Sequence, residues 1–275
     1  MQLIWSSRHF FGIARFMTPH RRLNILGVRV SDLTATEFLT LLAEGLKYNR
    51  LRTVFYANAH SINLSFSVPG FRETLNAADI IYADGIGLEL AARHRRLRVR
   101  ENLTGTDFLP RILKWASENG APVYFLGGSS EVIHLAARQA VREFESLRLL
   151  GYHHGYFKDT QAVLEEINAG EPSILFVGLG SPLQETWVCE NRHRLNAQVV
   201  VTVGGFFDFY SRCTRRAPVW LRRMRLEWLF RLLLNPVRMS PRYLVGNPLF
   251  LWRVFSAGLN RLGATGPQPK TRFSR

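Results

Sequence analysis

Cysteine is scarce in this chain: two among 275 residues, Cys189 and Cys213, in no CxxC or metal-ligand spacing. That excludes a disulfide framework and points to a reducing compartment. Long hydrophobic runs are absent too. The nearest approach, residues 244–259, is broken by Asn247, Pro248 and Arg253, short of the roughly 18 apolar residues that a membrane span needs. Arg8 and Arg15 interrupt any signal-peptide core, so the expected location is the cytoplasm. No HExxH, clustered histidines or Asp-x-Asp pair occurs, which gives metal chemistry little support. No Walker-type lysine follows the glycine-rich turns, which argues against a P-loop nucleotidase.

Acidic residues are missing from one region in particular. The net charge is +15, and from Arg212 to the end 14 Lys/Arg face a single acid, Glu227. The last quarter therefore carries almost the whole imbalance, and the remainder is near neutral. Nucleic acid, anionic lipid headgroups and phosphorylated substrates are the partners such a segment attracts.

What is present is ordinary globular material, 47% hydrophobic and 21% charged, enough for one large domain with an appendage. Short apolar runs at residues 23–30, 53–57, 80–82, 123–126, 174–177 and 199–203 are candidate strands. Helical patterns at 34–48, 107–119, 130–144, 160–168 and 182–194 lie between them. This alternation predicts an α/β fold, a Rossmann-like, mostly parallel sheet flanked by helices. Near residues 210–214 the rhythm stops. In residues 218–234, Trp220, Met224, Trp228 and Leu232 recur every four positions among arginines, the pattern of a basic amphipathic helix. The expected organisation is an N-terminal extension (1–20), a catalytic α/β domain (21–211), a basic membrane-associating appendage (212–262) and a disordered tail (263–275). A helix merely docked on the domain, its arginines solvated, is the alternative reading of the appendage.

Ligands of parallel α/β sheets bind at the carboxyl ends of the strands, and four segments fall there: 56–60, 82–87, 125–130 and 177–185. Gly127-Gly128 and Gly178-Leu179-Gly180 place backbone amides before helix starts, where phosphate oxygens are held; tight-turn geometry alone explains such glycines equally well. Asp84 follows an apolar strand and precedes Gly85, so it projects into the crevice as a catalytic carboxylate or caps the next helix. Asn58 ends the preceding strand and is placed to bond a substrate hydroxyl, whereas His60 reads as an ordinary helix-start residue. Asp208, in Gly204-Gly205-Phe206-Phe207-Asp208, either holds a ribose or caps a turn.

Taken in order, Asn58-Ala59-His60, Asp84-Gly85-Ile86-Gly87, Thr104-Gly105-Thr106-Asp107, Phe125-Leu126-Gly127-Gly128, Gly151-Tyr152-His153-His154-Gly155-Tyr156-Phe157, Gly178-Leu179-Gly180-Ser181-Pro182-Leu183-Gln184-Glu185-Thr186-Trp187 and Arg216-Ala217-Pro218 resemble the WecG/TagA/CpsF glycosyltransferases, glycosyltransferase family 26. The resemblance implies an inverting, metal-independent transferase. It would move a hexose or N-acetylhexosamine from a UDP-sugar to a polyprenyl-diphosphate-linked sugar in bacterial surface or exopolysaccharide synthesis. No cofactor besides that donor is implied. By the same resemblance Asp84 is the general base, Asn58 and Gln184 lie at the donor-sugar and acceptor site, and Asp208 lies near the uridine. Arg231, Arg238 and Arg242 belong to an appendage that closes over the site at an anionic membrane surface.

Chemistry agrees with this inventory, because a nucleoside diphosphate leaves well and needs one base plus cationic stabilisation. The chain departs from the family at Asn102, usually arginine, at Arg225, usually glycine, and at Ser240-Pro241, where Trp-Arg-Arg is usual. These departures leave the transferred sugar open, as the sequence leaves a homo-oligomeric state. A nucleic-acid-binding protein and a nucleotide-dependent oxidoreductase are the rival readings. The first expects basic residues on a polar recognition helix, not interleaved with Trp and Leu, and the second a complete GxGxxG.

Overall fold

The computed structural model describes residues 20–47 and 51–262. The expected extension, its last residue apart, and the expected tail lie outside the described residues.

Strands β1 (Arg22–Ile25) and β2 (Val28–Ser31) form an antiparallel hairpin where one strand was expected over 23–30. Leu26 (φ 53°) and Gly27 (φ 91°) both sit in the left-handed region, the two-residue turn that matches strand twist. The Asn24 side chain accepts the Gly27 N–H at 2.8 Å. With leucine as its first residue, this turn carries no Asn-Gly signature. Helix α1 (Ala35–Lys47) follows.

Strands β3 (Arg52–Ala57), β4 (Ile80–Ala83), β5 (Val123–Gly127), β6 (Leu149–His153), β7 (Ile174–Gly178) and β8 (Val199–Thr202) make one parallel sheet in the order β4-β3-β8-β7-β5-β6. Five match expected strands. The sixth, β6, is an edge strand of half-exposed residues around Gly151 and lacks the continuous apolar run of a doubly covered strand.

Alternation along each strand divides the core between the two faces. Phe55, Ala57, Ile81, Leu126, Leu175, Val177 and Val200 point to one side. There they meet the hairpin and helices α2 (Ala59–Ser67), α3 (Phe71–Asn76) and α4 (Ile86–His94). Val54, Ile80, Tyr82, Phe125, Phe176 and Val201 point to the other, against α1, α5 (Gly105–Glu118) and α6 (Ser130–Glu143). Helices α7 (Thr160–Gly170) and α8 (Leu183–Asn191) complete the first layer and α9 (Phe206–Tyr210) the second. The result is a helix–sheet–helix sandwich, the α/β fold expected. At the amino end of the sheet Asp79 gathers the Thr53 N–H (2.9 Å) and Oγ1 (3.1 Å), Arg192 (3.2 Å) and Arg52 (3.7 Å), away from the strand ends that build the site.

Beyond residue 211 the chain forms α10 (Val219–Arg223), α11 (Glu227–Leu234), α12 (Pro236–Ser240), a π-helical turn (Pro241–Val245) and α13 (Gly246–Leu262). The continuous helix expected over 218–234 is thus two, because Arg225 adopts φ 61° between them. Trp220 and Met224 stay outside, each 61% exposed. Trp228 turns inward, its ring 5.9 Å from that of Tyr243. Phe250 and Val254 of α13 are buried in the first core layer, and each buried apolar side chain contributes roughly 1.5–3 kcal/mol. The appendage is therefore seated on the α/β domain, chiefly on α2 and α4. No described helix is long and apolar enough to cross a membrane.

Candidate active site

The crevice lies above the carboxyl ends of β4, β3, β8 and β7, with the appendage on top. Its position follows from topology: the β3 crossover leads to the β4 edge, whereas β5 to β8 fill the other half, and loops part where the directions diverge.

Asn58 and Asp84 close adjacent strands and face each other. The Asn58 carbonyl oxygen caps α2, accepting the N–H groups of His60 and Ser61 at 3.0 Å each. Ser61 Oγ completes the capping box by accepting the Asn58 N–H at 2.8 Å. With its oxygen so engaged, the amide must point its NH2 group outward, and Nδ2 donates to Asp84 Oδ2 at 3.4 Å. Asp84 does not cap α4, whose N-cap is Gly85 with no side-chain bond. Its Oδ1 instead accepts the Gly105 N–H at 3.1 Å, at the amino end of the 14-residue α5, where the helix dipole favours an anion. Burial pushes the Asp84 carboxyl above its ordinary range. The Gly105 N–H, Arg231, the Asn58 amide and Arg242 oppose that shift and favour the carboxylate. The result is a half-buried carboxylate held basic, the setting of a proton acceptor.

Gly85 and Gly180 have positive φ and open space where a Cβ would stand, so a ligand can approach their backbone closely. The other expected glycines are used differently. A Cβ on Gly127 would overlap the Gly178 carbonyl, and one on Gly178 would lie 2.7 Å from the Phe207 ring. The Gly128 N–H donates to Gly178 O at 3.3 Å. Gly127 and Gly178 let β5 and β7 approach backbone to backbone, and Gly178 leaves room for the Phe207 ring of α9.

Gln184 is fully buried. Its Oε1 accepts the Gly204 N–H at 3.0 Å and its Nε2 donates to Glu185 at 2.7 Å, so it ties the start of α8 to the turn after β8. Helix α8 begins at Leu183, with Pro182 at its N-cap behind a cis peptide bond, one residue later than expected. Asp208 lies in the first turn of α9; burial raises its carboxyl and Arg238 opposes the rise. His60, at the start of α2, is held down to about 4 by burial and Arg242, so it stays neutral.

The appendage supplies the cations. Arg231 stacks on Phe209 with 4.2 Å between guanidinium carbon and ring centre, and bonds Glu227 at 2.7 Å. Its Nε is buried without a hydrogen-bond partner. Arg242 lies over the Tyr243 ring and within electrostatic reach of Asp84. Arg238 is exposed and faces Asp208. Other arginines fasten the appendage down: Arg216 and Arg222 share Asp107 at 2.7 and 3.3 Å, and Arg225 pairs with Glu89. Glu89 also accepts Asn102 Nδ2 at 2.9 Å, while Asn102 Oδ1 accepts the Gly85 N–H at 3.0 Å. Sequence reasoning named Asn102 and Arg225 as departures from the family pattern but did not link them through Glu89, and it assigned no role to Tyr56, Ser181 and Glu185 at the crevice floor. No motif announces partners such as Asn102 and Glu89, 13 positions apart, or Glu89 and Arg225, 136 apart.

A family model, the glycosyl transferase WecG/TagA/CpsF family, matches residues 23–263. Similar chains include one from Bacillus spizizenii, 35% identical over 62% of this chain and 66% of its own length, and one from Bacillus subtilis, 32% identical over 60% and 65%. The match thus spans about two thirds of these relatives. A chain from Staphylococcus aureus is 26% identical over 86% of this chain and 93% of its own. All three are named N-acetylglucosaminyldiphosphoundecaprenol N-acetyl-beta-D-mannosaminyltransferase. With its six-stranded parallel sheet and a match running from β1 to the end of α13, the chain belongs to the glycosyl transferase WecG/TagA/CpsF family.

Proposed function

We propose that this protein transfers an N-acetylhexosamine or hexose from a UDP-sugar to a polyprenyl-diphosphate-linked sugar, with inversion and without a metal ion, at the inner face of a bacterial membrane. The observation that carries the reading is Asp84, a half-buried carboxylate raised by its surroundings and set among the arginines of the seated appendage.

Asp84 removes the proton from the acceptor hydroxyl as that oxygen attacks the anomeric carbon. The bond to the diphosphate breaks on the opposite face, and UDP leaves with the electron pair. Attack from the side opposite the leaving group inverts the carbon. Asn58 steadies Asp84 and offers an N–H to a sugar oxygen. Arg231 and Arg242 neutralise the departing diphosphate, work that preorganised donors do well. Asp208 and Arg238 flank the nucleotide end, and the open faces of Gly85 and Gly180 admit the donor. An N-acetylated donor and an undecaprenyl-diphosphate acceptor are the first to try, given the names of the relatives.

The exposed side of the appendage suits an anionic lipid surface. Trp220, Met224, Leu233 (72%), Val237 (91%), Leu244 and Val245 are exposed there beside Arg223 and Arg238. Each basic residue near such a surface contributes about 1 kcal/mol, and tryptophan favours the interface.

The test is UDP release from a panel of UDP-sugars with a short-chain lipid-diphosphate sugar acceptor, with and without EDTA. Acceptor-dependent release with one donor, insensitive to EDTA and yielding the inverted anomer, is expected. No turnover with any donor, alongside salt-sensitive DNA binding, overturns the reading in favour of a nucleic-acid partner.

A further inference from the structure

Four side chains at the crevice floor form one directed hydrogen-bond chain, and its direction can be worked out atom by atom. The Gly204 N–H occupies Gln184 Oε1 at 3.0 Å, so the Gln184 nitrogen must be the end that meets Glu185 Oε1, at 2.7 Å. Ser181 Oγ donates to the same oxygen at 2.8 Å. A serine hydroxyl has one proton and two lone pairs. With its proton given to Glu185, Ser181 can only accept, weakly from Gln184 Nε2 at 3.4 Å and from the Tyr56 hydroxyl at 3.2 Å. Tyr56 therefore spends its proton on Ser181 and keeps its remaining lone pair for the crevice.

The position of Tyr56 gives that lone pair a purpose. It is the one partly exposed residue between Arg52 and Ala57 of β3. It lies beside Gly204, where a Cβ would stand 2.5 Å from its oxygen, and within electrostatic reach of Asp84 and Arg242. Loops from β3, β4, β7 and β8 thus surround its hydroxyl. Burial and the neighbouring Glu185 push the phenol up to about 12, so it keeps its proton. Glu185 is fully buried, and its Oε2 has no partner; a buried carboxyl in that state is retained at a cost in stability.

Resting on the transferase reading above, we propose that Tyr56 is a specificity-determining residue: its oxygen accepts a hydrogen bond from one O–H or N–H group of the transferred sugar. Ser181 and Glu185 are positioning residues that fix this polarity and so exclude sugars presenting only an acceptor at that point.

The test compares kcat/KM of wild type, Tyr56→Phe, Ser181→Ala and Glu185→Gln on the preferred UDP-sugar. It repeats the comparison on analogues in which each hydroxyl, or the acetamido group, is replaced singly by hydrogen. Tyr56→Phe should lose roughly three- to tenfold on the full donor, the worth of one neutral hydrogen bond, and nothing on one particular analogue. Ser181→Ala frees the phenol to rotate, so its preference for the full donor over that analogue should fall toward one. Glu185→Gln retains the accepting Oε1 and should keep the wild-type preference. An equal loss on every donor, no loss at all, or a Ser181→Ala enzyme with undiminished discrimination overturns the proposal. So does a Glu185→Gln enzyme that loses the discrimination, since the accepting oxygen is retained. If Tyr56→Phe does not fold, the Ser181→Ala comparison decides alone. Wild type that turns over no UDP-sugar overturns the transferase reading itself.

Discussion

Replacing Asp84 by asparagine should move activity and stability in opposite directions. The substituted Oδ1 can still accept the Gly105 N–H that Asp84 holds at 3.1 Å, so α5 and its approach to β4 are kept. What disappears is the proton acceptor, and a positioned base contributes roughly 10²–10⁴-fold, about 3–5 kcal/mol of barrier. Stability responds through burial, which raises the Asp84 carboxyl above its ordinary 3.8 more than the Gly105 N–H, Arg231, Asn58 and Arg242 lower it. The folded state therefore holds this proton more tightly than the unfolded chain does. For a raised group, stability is fully present below the unfolded value and is lost as pH rises through the folded one. Above that range the half-buried anion weakens the wild type, whereas asparagine carries no such charge. The Tm advantage of Asp84→Asn should then be near zero at about pH 4 and grow toward about pH 8. UDP release measures the first effect and thermal unfolding across pH the second. A variant keeping more than about a tenth of wild-type activity, against the hundredfold or more expected of a lost base, refutes the assignment. A Tm difference flat in pH refutes the electrostatic argument.

Gly127→Ala should cost about 3–5 kcal/mol in urea unfolding, since φ is +143° and the new Cβ overlaps the Gly178 carbonyl on the neighbouring strand; a loss under about 1 kcal/mol contradicts that packing. Arg225→Gly should change stability by no more than about 1 kcal/mol, because relief of the left-handed backbone offsets loss of the half-exposed pair with Glu89. Arg231→Gln should lower kcat/KM by roughly 10–100-fold and weaken competition by UDP, as expected when a preorganised cation leaves a diphosphate site; unchanged UDP inhibition places the diphosphate elsewhere.

Sequence by itself determined the parts of this protein that are local or periodic. Short continuous apolar runs at β3, β4, β5, β7 and β8, with helical patterns between them, specify a parallel sheet, because strands covered on both faces must be apolar throughout. Asp84 and Asn58 were legible because strand ends are chemically privileged in such folds. The charge surplus after Arg212 set the appendage apart. Tertiary structure decided the rest. Edge strand β6 and the hairpin turn at Leu26-Gly27 lack their usual local signatures. Only packing divides the glycines into Gly127, Gly128 and Gly178, which leave room for close neighbours, and Gly85 and Gly180, which stay open. Only assembly fixes the amide orientations of Asn58 and Gln184, since a cap or a distant N–H must first claim one end. The division of the arginines between anchors (Arg216, Arg222, Arg225) and those left within reach of Asp84 (Arg231, Arg242) depends on which acids the fold brings beneath them. A chain of hydrogen bonds from Gly204 through Gln184, Glu185 and Ser181 to Tyr56 joins residues far apart in sequence, and its polarity exists only once three strand ends have met.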